Sequence, residues 1–332
     1  MSTRFPDANN YNEFWQNLRA GKNSVKEIPS DRWNIEQYYS ENINESNKSI
    51  SKWCGILDDI ALFDTLFFNI LPREACSMDP QQRILLEETW KCIEDAAVSI
   101  EELQAGRTGV YTGIFNMDYK NKIVESNRVV DYYEGINNFE NHIANRISYQ
   151  FDFNGPSMAI NTACSSGLVS IIQAVRGLQA GECQYALASG VNLNIDPYKY
   201  IAFSKYRMLS PDGQCRTFDK NANGYVPGDG AGVFLLQRLE DAERDGNHIY
   251  GVIIGSAIGH TGRGYTLTAP NVESQMEVIK WAYEEADIDL RTINYIEAHG
   301  TGTSLGDPIE LEALNNVFND VTDKKNFVRL DQ

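Results

Sequence analysis

No Cys-x-x-Cys pair occurs in this sequence, and its six cysteines (Cys54, Cys76, Cys92, Cys164, Cys183 and Cys215) follow no regular spacing. That speaks against a disulfide framework, and it predicts free thiols in a reducing, cytosolic setting. The N-terminal "MSTRFPDANN" lacks the basic start and apolar core of a secretory signal. No apolar run approaches the ~18 residues of a membrane-spanning helix. Basic side chains are outnumbered, 29 Lys and Arg against 46 Asp and Glu, for a net charge of −17. An acid excess of this size argues against nucleic acid as a partner. Repeats and low-complexity linkers are also missing. Histidine is scarce, with four in 332 residues: His142, His248, His260 and His299.

The chain that remains is 42% hydrophobic and 23% charged, long enough to bury a sizeable core in one large domain or two packed halves. In "NNYNEFWQNLRAGK", Tyr11, Phe14, Trp15 and Leu18 recur at helical spacing and Gly21 closes the segment. Residues 22–58 read as polar and irregular. "MDPQQRILLEETWKCIEDA" predicts a helix capped by Asp79, with Pro80 in its first turn and Leu86, Trp90, Ile93 and Ala97 on one face. A buried strand is expected at 108–114 and a loop-rich, Asn-rich excursion at 115–150. Further strands are expected at 184–193, 230–239, 249–258 and 293–298, and helices at 271–288 and 307–318. In the last helix Asp307 and Glu310 have capping-box spacing. Apolar strands alternating with helices predict a layered α/β fold.

Two places draw attention. "NTACSSGLVSIIQAVRGLQAGE" puts Cys164 at the front of a helix, where the helix dipole favours a thiolate and the neighbours Thr162, Ala163, Ser165, Ser166 and Gly167 are small. Leu168, Ile171, Ile172, Val175 and Leu178 read as its buried face. Position alone favours a packing thiol, the common fate of free cysteines. The other five cysteines have no comparable setting and read as packing residues. In "YIEAHGTGTSLGDPIE", His299 follows a strand on a Gly-rich turn before a helix, where α/β folds place chemistry; Thr301 and Thr303 add hydroxyls. A lone histidine is more often a hydrogen-bonded structural residue. His142, His248 and His260 lack this context. "DKNANGYVPGDG" begins like a calcium loop but has Gly230 where the bidentate Glu belongs. "GSAIGHTGRGY" lacks the Gly-Lys-Ser/Thr ending of a phosphate loop.

The stretches "RFPDANNYNEFWQNLRAGKNSVKEIPSDRW", "FDTLFFNILPREACSMDPQQRILLEETWKCIEDA", "GPSMAINTACSSGLVSIIQAV", "MLSPDGQCRTFDKNANGYVPGDGAGV" and "YIEAHGTGTSLGDPIE" follow one another over nearly the whole chain. In these the sequence resembles the ketosynthase (β-ketoacyl synthase) domains of modular polyketide synthases and, more distantly, of fatty acid synthases. "EAHGTGT" and "MDPQQR" set it apart from thiolases and chalcone-type synthases. The resemblance implies a thiolase-like αβαβα fold, normally a homodimer, and decarboxylative Claisen condensation of thioesters borne on the phosphopantetheine of an acyl carrier protein. It implies Cys164 as the acyl-accepting nucleophile, with its own N–H as an oxyanion donor. His299 matches one of two histidines that polarise the malonyl thioester, and Thr301 and Thr303 hold the phosphopantetheine arm. No metal or redox cofactor is implied.

Four departures from the family pattern stand out. Asn161 occupies a usual Asp position and Gly167 a common Ser. Pro227 and Asp229 replace Arg and Glu. Finally, no histidine follows His299, and the supporting Lys and late Gly-rich loop of the family are not found. Met1 falls where the family's first strand is ending. The expectation is therefore a ketosynthase trimmed at both ends. Residues 1–248 would form a nearly complete N-terminal half lacking its first strand, and 249–332 the start of an incomplete C-terminal half. Such a chain would work with a complementing ketosynthase fragment, or would be a non-catalytic remnant that binds carrier protein.

Overall fold

Three apolar runs, each rich in β-branched and small residues, form the middle of a mixed sheet. In chain order the computed structural model begins with β1 (Ser2–Arg4), α1 (Tyr11–Arg19), β2 (Val25–Glu27), α2 (Ile35–Tyr38), β3 (Trp53–Gly55), α3 (Pro72–Ser77) and α4 (Pro80–Ala96). There follow α5 (Ile100–Ala105), β4 (Gly109–Ile114), α6 (Tyr119–Glu125), α7 (Tyr132–Ile136), α8 (His142–Phe151), β5 (Ser157–Ile160) and α9 (Ser166–Gln179). The remainder is β6 (Tyr185–Asn192), α10 (Tyr198–Lys205), β7 (Gly230–Gln237), α11 (Leu239–Asp245), α12 (Val272–Ala286), β8 (Tyr295–Glu297), α13 (Gly306–Asn319) and β9 (Arg329–Asp331). The structure describes residues 1–126, 130–264, 266, 268–322 and 328–331. Two compact units result: residues 1–35, 54–197 and 227–250 make one, and 36–53, 198–226 and 251–332 the other. Segments 36–53 and 198–226, which belong to the expected first half in sequence, thus group with 251–332.

In the first unit the sheet order is β1-β7-β6-β4-β5. β4 runs parallel to both β5 and β6, while β7 is antiparallel to β6 and to β1. Side chains alternate between the two faces, as a strand requires. Val110, Ile114, Leu187, Val191 and Val233 join the core formed with α4 and α8, whereas Tyr111, Ala186 and Ala188 pack with Ala174 and Leu178 of α9. Helices therefore cover both faces, an α/β arrangement. Ser2–Arg4, where a strand was expected to be ending, pairs with Ala231–Val233. In the second unit β8 and β9 pair in parallel, and Ala313, Val317 and Phe318 of α13 are buried.

α9 comes unusually close to the sheet. A Cβ on Gly113 would lie 2.5 Å from the carbonyl oxygen of Ser166, and one on Gly190 would lie 3.4 Å from Gly167 Cα. The helix contributes Ser166, Ser170, Ala174, Gly177 and Leu178 as buried residues, and Ser170 Oγ donates to Ser189 O at 2.9 Å. This corrects the expected buried face. Leu168 is 70% exposed and Ile171, Ile172 and Val175 are only half-buried. Leu178 keeps its expected place and Ile171 packs at the edge of the core, but over the first turns only a ridge of small residues can meet the glycines of β4 and β6.

Other expectations also change. Residues 115–150 hold α6, α7 and α8, not mainly loops. Ile143, Ala144, Ile147 and Phe151 of α8 are buried. Residues 22–58 include β2, α2 and β3. Ala97 closes α4 as a left-handed cap and does not share its buried face. Residues 251–258 form no strand: among the described residues no strand pairs with them, and Val252, Ile253 and Ile254 are exposed. Gly255 and Gly259 instead pack against α12, where a Cβ on Gly255 would meet Ala282 O at 2.4 Å.

Asp229 ties distant segments of the first unit together. Its carboxylate accepts from Arg32 Nη2 at 3.0 Å, Leu57 N at 3.1 Å, Asn194 N at 2.7 Å and Asn194 Nδ2 at 3.0 Å, and its own N–H donates to Gly55 O. Both charged side chains are almost fully buried. Burial pushes the Asp229 carboxyl up, opposed by Arg32 and the N–H donors. Removing the acid would leave a buried guanidinium without its counter-charge. Asp229→Ala should therefore lower the unfolding free energy by about 3–5 kcal/mol, read as a lower urea midpoint. A loss under about 1 kcal/mol would contradict the role given to this pair.

Asp79 presents the opposite case. It caps α4 by accepting from Gln81 N at 2.9 Å, yet its Oδ2 has no partner. Burial pushes its carboxyl up to about 6 from an ordinary 3.8. The folded value exceeds the unfolded one, so the wild type loses stability as pH rises from about 4 to about 6 and stays at that reduced level above. Asn caps equally well but does not ionise. Asp79→Asn should match the wild type near pH 4 and exceed it by about 1–3 kcal/mol at pH 7, measured by denaturation at both pH values. An equal difference at the two would refute the ionisation argument.

The approach of α9 to β4 gives a third expectation. Gly113→Ala forces backbone to move and should cost about 1–3 kcal/mol or more. Gly135→Ala on α7, where a Cβ meets nothing within 4 Å, serves as the tolerated control in the same urea titration.

Candidate active site

β5 ends at Ile160, and the chain must turn sharply to enter α9. The turn is a closed knot of short polar side chains. Ala163 N donates to Asn161 Oδ1 at 3.2 Å, Thr162 N to Ser166 Oγ at 2.9 Å, and Ser166 Oγ to Ala163 O at 2.7 Å. Ser165 Oγ donates to Thr162 O at 2.9 Å. Asn161 Nδ2 also donates to Phe115 O at 3.1 Å, just beyond the end of β4. Ala163 takes a left-handed conformation with φ +56°, which costs an L-residue roughly 1–2 kcal/mol. Cys164 follows within a short 3-10 turn, Ala163–Ser165, that leads into α9.

Cys164 is exposed, unlike the buried Cys54, Cys92 and Cys183. Burial pushes the Cys92 and Cys183 thiols up, which keeps them protonated and inert. Cys76 and Cys215 are exposed too, so the expectation that all five other cysteines are packing residues holds for three. Cys215 lies under the Gly-rich turn of the second unit, with Sγ 3.9 Å from Gly300 O. A Cβ at Gly167 meets nothing within 4 Å, so the departure from Ser there is sterically silent.

In the second unit His299 and its neighbours sit on a turn held by carboxylates. Glu310 accepts from His299 N at 2.7 Å and from Gly300 N at 2.9 Å. Asp307 accepts from Gly302 N at 3.0 Å, Thr303 N at 3.4 Å and Phe218 N at 2.7 Å. The capping box expected from Asp307 and Glu310 is not made. α13 starts one residue earlier, at Gly306, and its first turn spends both acids on the preceding loop. Gly300 and Gly302 have positive φ. Thr217 Oγ1 donates to Gly300 O at 2.6 Å and Gly224 N donates to Gly302 O at 2.9 Å. With its backbone held, the turn exposes His299 and keeps Thr301 and Thr303 half-buried, their hydroxyls 2.9 Å apart.

The remaining histidines have local roles. Burial and Arg146 hold His142 below the usual imidazole range. His248 meets the Tyr250 ring edge-on at 4.5 Å. His260 Nδ1 accepts from Gly262 N at 2.9 Å. Among the described residues no group of three or more His, Cys, Asp and Glu is arranged to hold a metal ion, and no helix is long and apolar enough to cross a membrane. Glu310 and Asp307 as clamps of the His299 turn, and Asn161 as a tie of the Cys164 turn, were not foreseen. Two acids three residues apart after a Gly-rich turn were visible, but they fit a helix cap equally well.

Comparison with known proteins gives the family. Residues 1–242 match the family described as β-ketoacyl synthase, N-terminal domain, and residues 250–330 match β-ketoacyl synthase, C-terminal domain. Polyketide synthase PksN of Bacillus subtilis is 45% identical over 98% of this chain, which spans 6% of that protein. Polyketide synthase ThaG of Burkholderia thailandensis is 42% identical over 96% of the chain, again 6% of the relative. The ketosynthase from module 6 of the bacillaene synthase of Bacillus subtilis superposes with a TM-score of 0.90 at 44% identity, covering 99% of this chain and 55% of that one. The oxazolomycin ketosynthase domain OzmH KS7 of Streptomyces albus gives 0.92 at 38% identity, covering 99% and 57%. The chain thus spans about half of the solved ketosynthases and a small part of the curated relatives, and it belongs to the β-ketoacyl synthase family.

Proposed function

We propose that this chain carries the acyl-accepting and enolate-forming residues of a polyketide ketosynthase. The observation that carries the reading is Cys164, an exposed thiol on a strained turn at the head of a helix packed onto the sheet. Its thiolate attacks the carbonyl of an acyl thioester delivered by an acyl carrier protein. A new C–S bond forms, the carrier thiolate leaves, and the acyl group rests on Cys164. A malonyl thioester then loses carbon dioxide. The electrons of the broken C–C bond pass into an enolate, and its carbon attacks the acyl carbonyl and expels Cys164 as thiolate. His299 donates a hydrogen bond to the malonyl thioester oxygen as negative charge develops there. Thr301 and Thr303 hold the phosphopantetheine arm.

The N–H of Cys164 lies in the first turn of a helical segment, where N–H groups have no intrahelical acceptor. That suits it to receive the oxyanion of acyl transfer. The charge on the enolate needs a rigid donor, and the two carboxylates that fix the His299 turn supply the rigidity. Acyl carrier protein is the substrate-bearing partner, and no metal or redox cofactor enters any step.

Two further partners are inferred. β5 is an outer strand of its sheet among the described residues, and its exposed Met158, with the exposed Leu168 of α9, suits a second copy of the chain. The apolar residues 251–258, which pair with no strand among the described residues, suit coverage by further ketosynthase sequence, such as a complementing fragment, which would also bring the second histidine of the family mechanism.

The test is acylation by a short acyl thioester, followed by intact-protein and peptide mass spectrometry. One acyl group should appear on Cys164, and Cys164→Ala should abolish it. His299→Ala should keep that acylation while reducing malonyl decarboxylation at least about 100-fold in the complemented enzyme. A folded sample with no adduct on Cys164 overturns the reading. Acylation without condensation, even when the complementing ketosynthase segment is supplied, favours a carrier-binding remnant.

A further inference from the structure

We infer that Asn161 is the positioning residue of the Cys164 turn, acting through both ends of its side-chain amide. The inference rests on the reading of Cys164 as the acyl acceptor. Ala163 is the only residue between Phe153 and Gly181 with positive φ apart from Gly181 itself; it immediately precedes the thiol, so its rotation sets where Sγ and the Cys164 N–H point. Left to itself an alanine relaxes out of the left-handed region. Asn161 Oδ1 accepts from Ala163 N at 3.2 Å and opposes that relaxation.

The other end of the amide fixes the turn in space. Asn161 Nδ2 donates to Phe115 O at 3.1 Å, in the segment that continues from β4. β4 is also the strand whose Gly113 admits the first turn of α9. The turn is therefore referenced to β4 twice, through α9 packing and through Asn161. Only one orientation of the amide serves both bonds, because the reverse would set a donor against Ala163 N–H and an acceptor against Phe115 O.

An aspartate, the common family residue here, keeps the acceptor toward Ala163 but cannot donate to Phe115 when ionised. Asn161 therefore adds a strut that an aspartate would lack. Its consequence is a difference between two reactions of the same thiol. Alkylation by iodoacetamide needs an accessible thiolate. Acyl transfer also needs the Cys164 N–H aimed at the forming oxyanion, and so depends on the orientation of the turn.

The experiment uses the full chain, with Asn161→Ala removing both bonds and Asn161→Asp keeping the one to Ala163. Circular dichroism and urea unfolding check that each variant folds. Rates at Cys164 are read by peptide mass spectrometry with a short acyl thioester and, separately, with iodoacetamide. Asn161→Ala, which removes both bonds, should slow acylation at least about fivefold to tenfold, while alkylation stays within about threefold. The ratio of acylation to alkylation in Asn161→Asp should lie between those of Asn161→Ala and the wild type. Equal losses in both reactions for Asn161→Ala would mean a merely structural residue and overturn the inference. So would unchanged acylation, or an Asp variant with a ratio as low as that of the Ala variant. If these variants do not fold, Asn161→Gln, which keeps the amide on a longer stem, must show the same selective loss of acylation, and equal losses there overturn the inference in the same way. Failure of wild-type acylation refutes the underlying function and is read separately from these ratios.

Discussion

The approach of α9 to the backbone of β4 constrains everything around the thiol. With 2.5 Å between a hypothetical Gly113 Cβ and Ser166 O, no side chain fits between strand and helix. The helix must therefore present a ridge of small residues, and it does so with Ser166, Ser170, Ala174 and Gly177. Once the ridge is seated, the start of α9 has little freedom, and the turn before it must complete a sharp reversal within a few residues. The left-handed Ala163 is the local cost of that reversal. The polar knot of Asn161, Thr162, Ser165 and Ser166 offsets it with hydrogen bonds that a looser connection would give to water. The packing of the sheet thus fixes where Cys164 stands.

Buried polar groups also cluster around Asp229 in the first unit. Its sheet is covered on both faces, so segments that cross the strand ends must satisfy their backbone groups without water. Asp229 does this for the residues around Gly55, Leu57 and Asn194, with Arg32 as counter-charge. An ion pair buried this deeply is weak evidence for net stability, since desolvation of both charges opposes their attraction. What it provides is registry: four sequence-distant segments have one arrangement in which every donor reaches the carboxylate. The single Asp side chain meets all of them.

Much of this was legible in the sequence because it depends on local pattern. The apolar runs of β4, β6 and β7, the Asp79 cap with Pro80, and the periodicity of α1 and α4 report their structure directly. What was not legible depends on partners. The large side chains of α9 gave a convincing apolar stripe, yet of these only Leu178 is fully buried; the start of the helix turns its small residues inward, because glycines on two other strands decide it. Residues 251–258 have the composition of a strand, yet a strand exists only when paired. Residues 115–150 looked too polar for helices, although Ile143, Ala144, Ile147 and Phe151 supply enough of an apolar face once α4 and the sheet lie beneath them. At the candidate sites Cys164 and His299 were visible from position and motif. Asn161 was visible only as a departure, and Glu310 only as a cap that the structure does not form.

The two functional turns solve the same problem with different chemistry. Each must expose one reactive side chain while keeping its backbone from moving, and each lies where a helix begins. Around Cys164 the bonds come from neutral hydroxyls and an amide. Around His299 the bonds come from two carboxylates, Glu310 and Asp307, which between them receive five backbone N–H groups. Negative charge at the start of α13 is favoured by the helix dipole. The amide of Asn161 gives the first knot a donor as well as an acceptor, whereas the second turn is held by carboxylates that accept from backbone N–H groups. The two turns thus reach the same end, a fixed backbone below an exposed side chain, the first with neutral groups that both donate and accept and the second with charged acceptors.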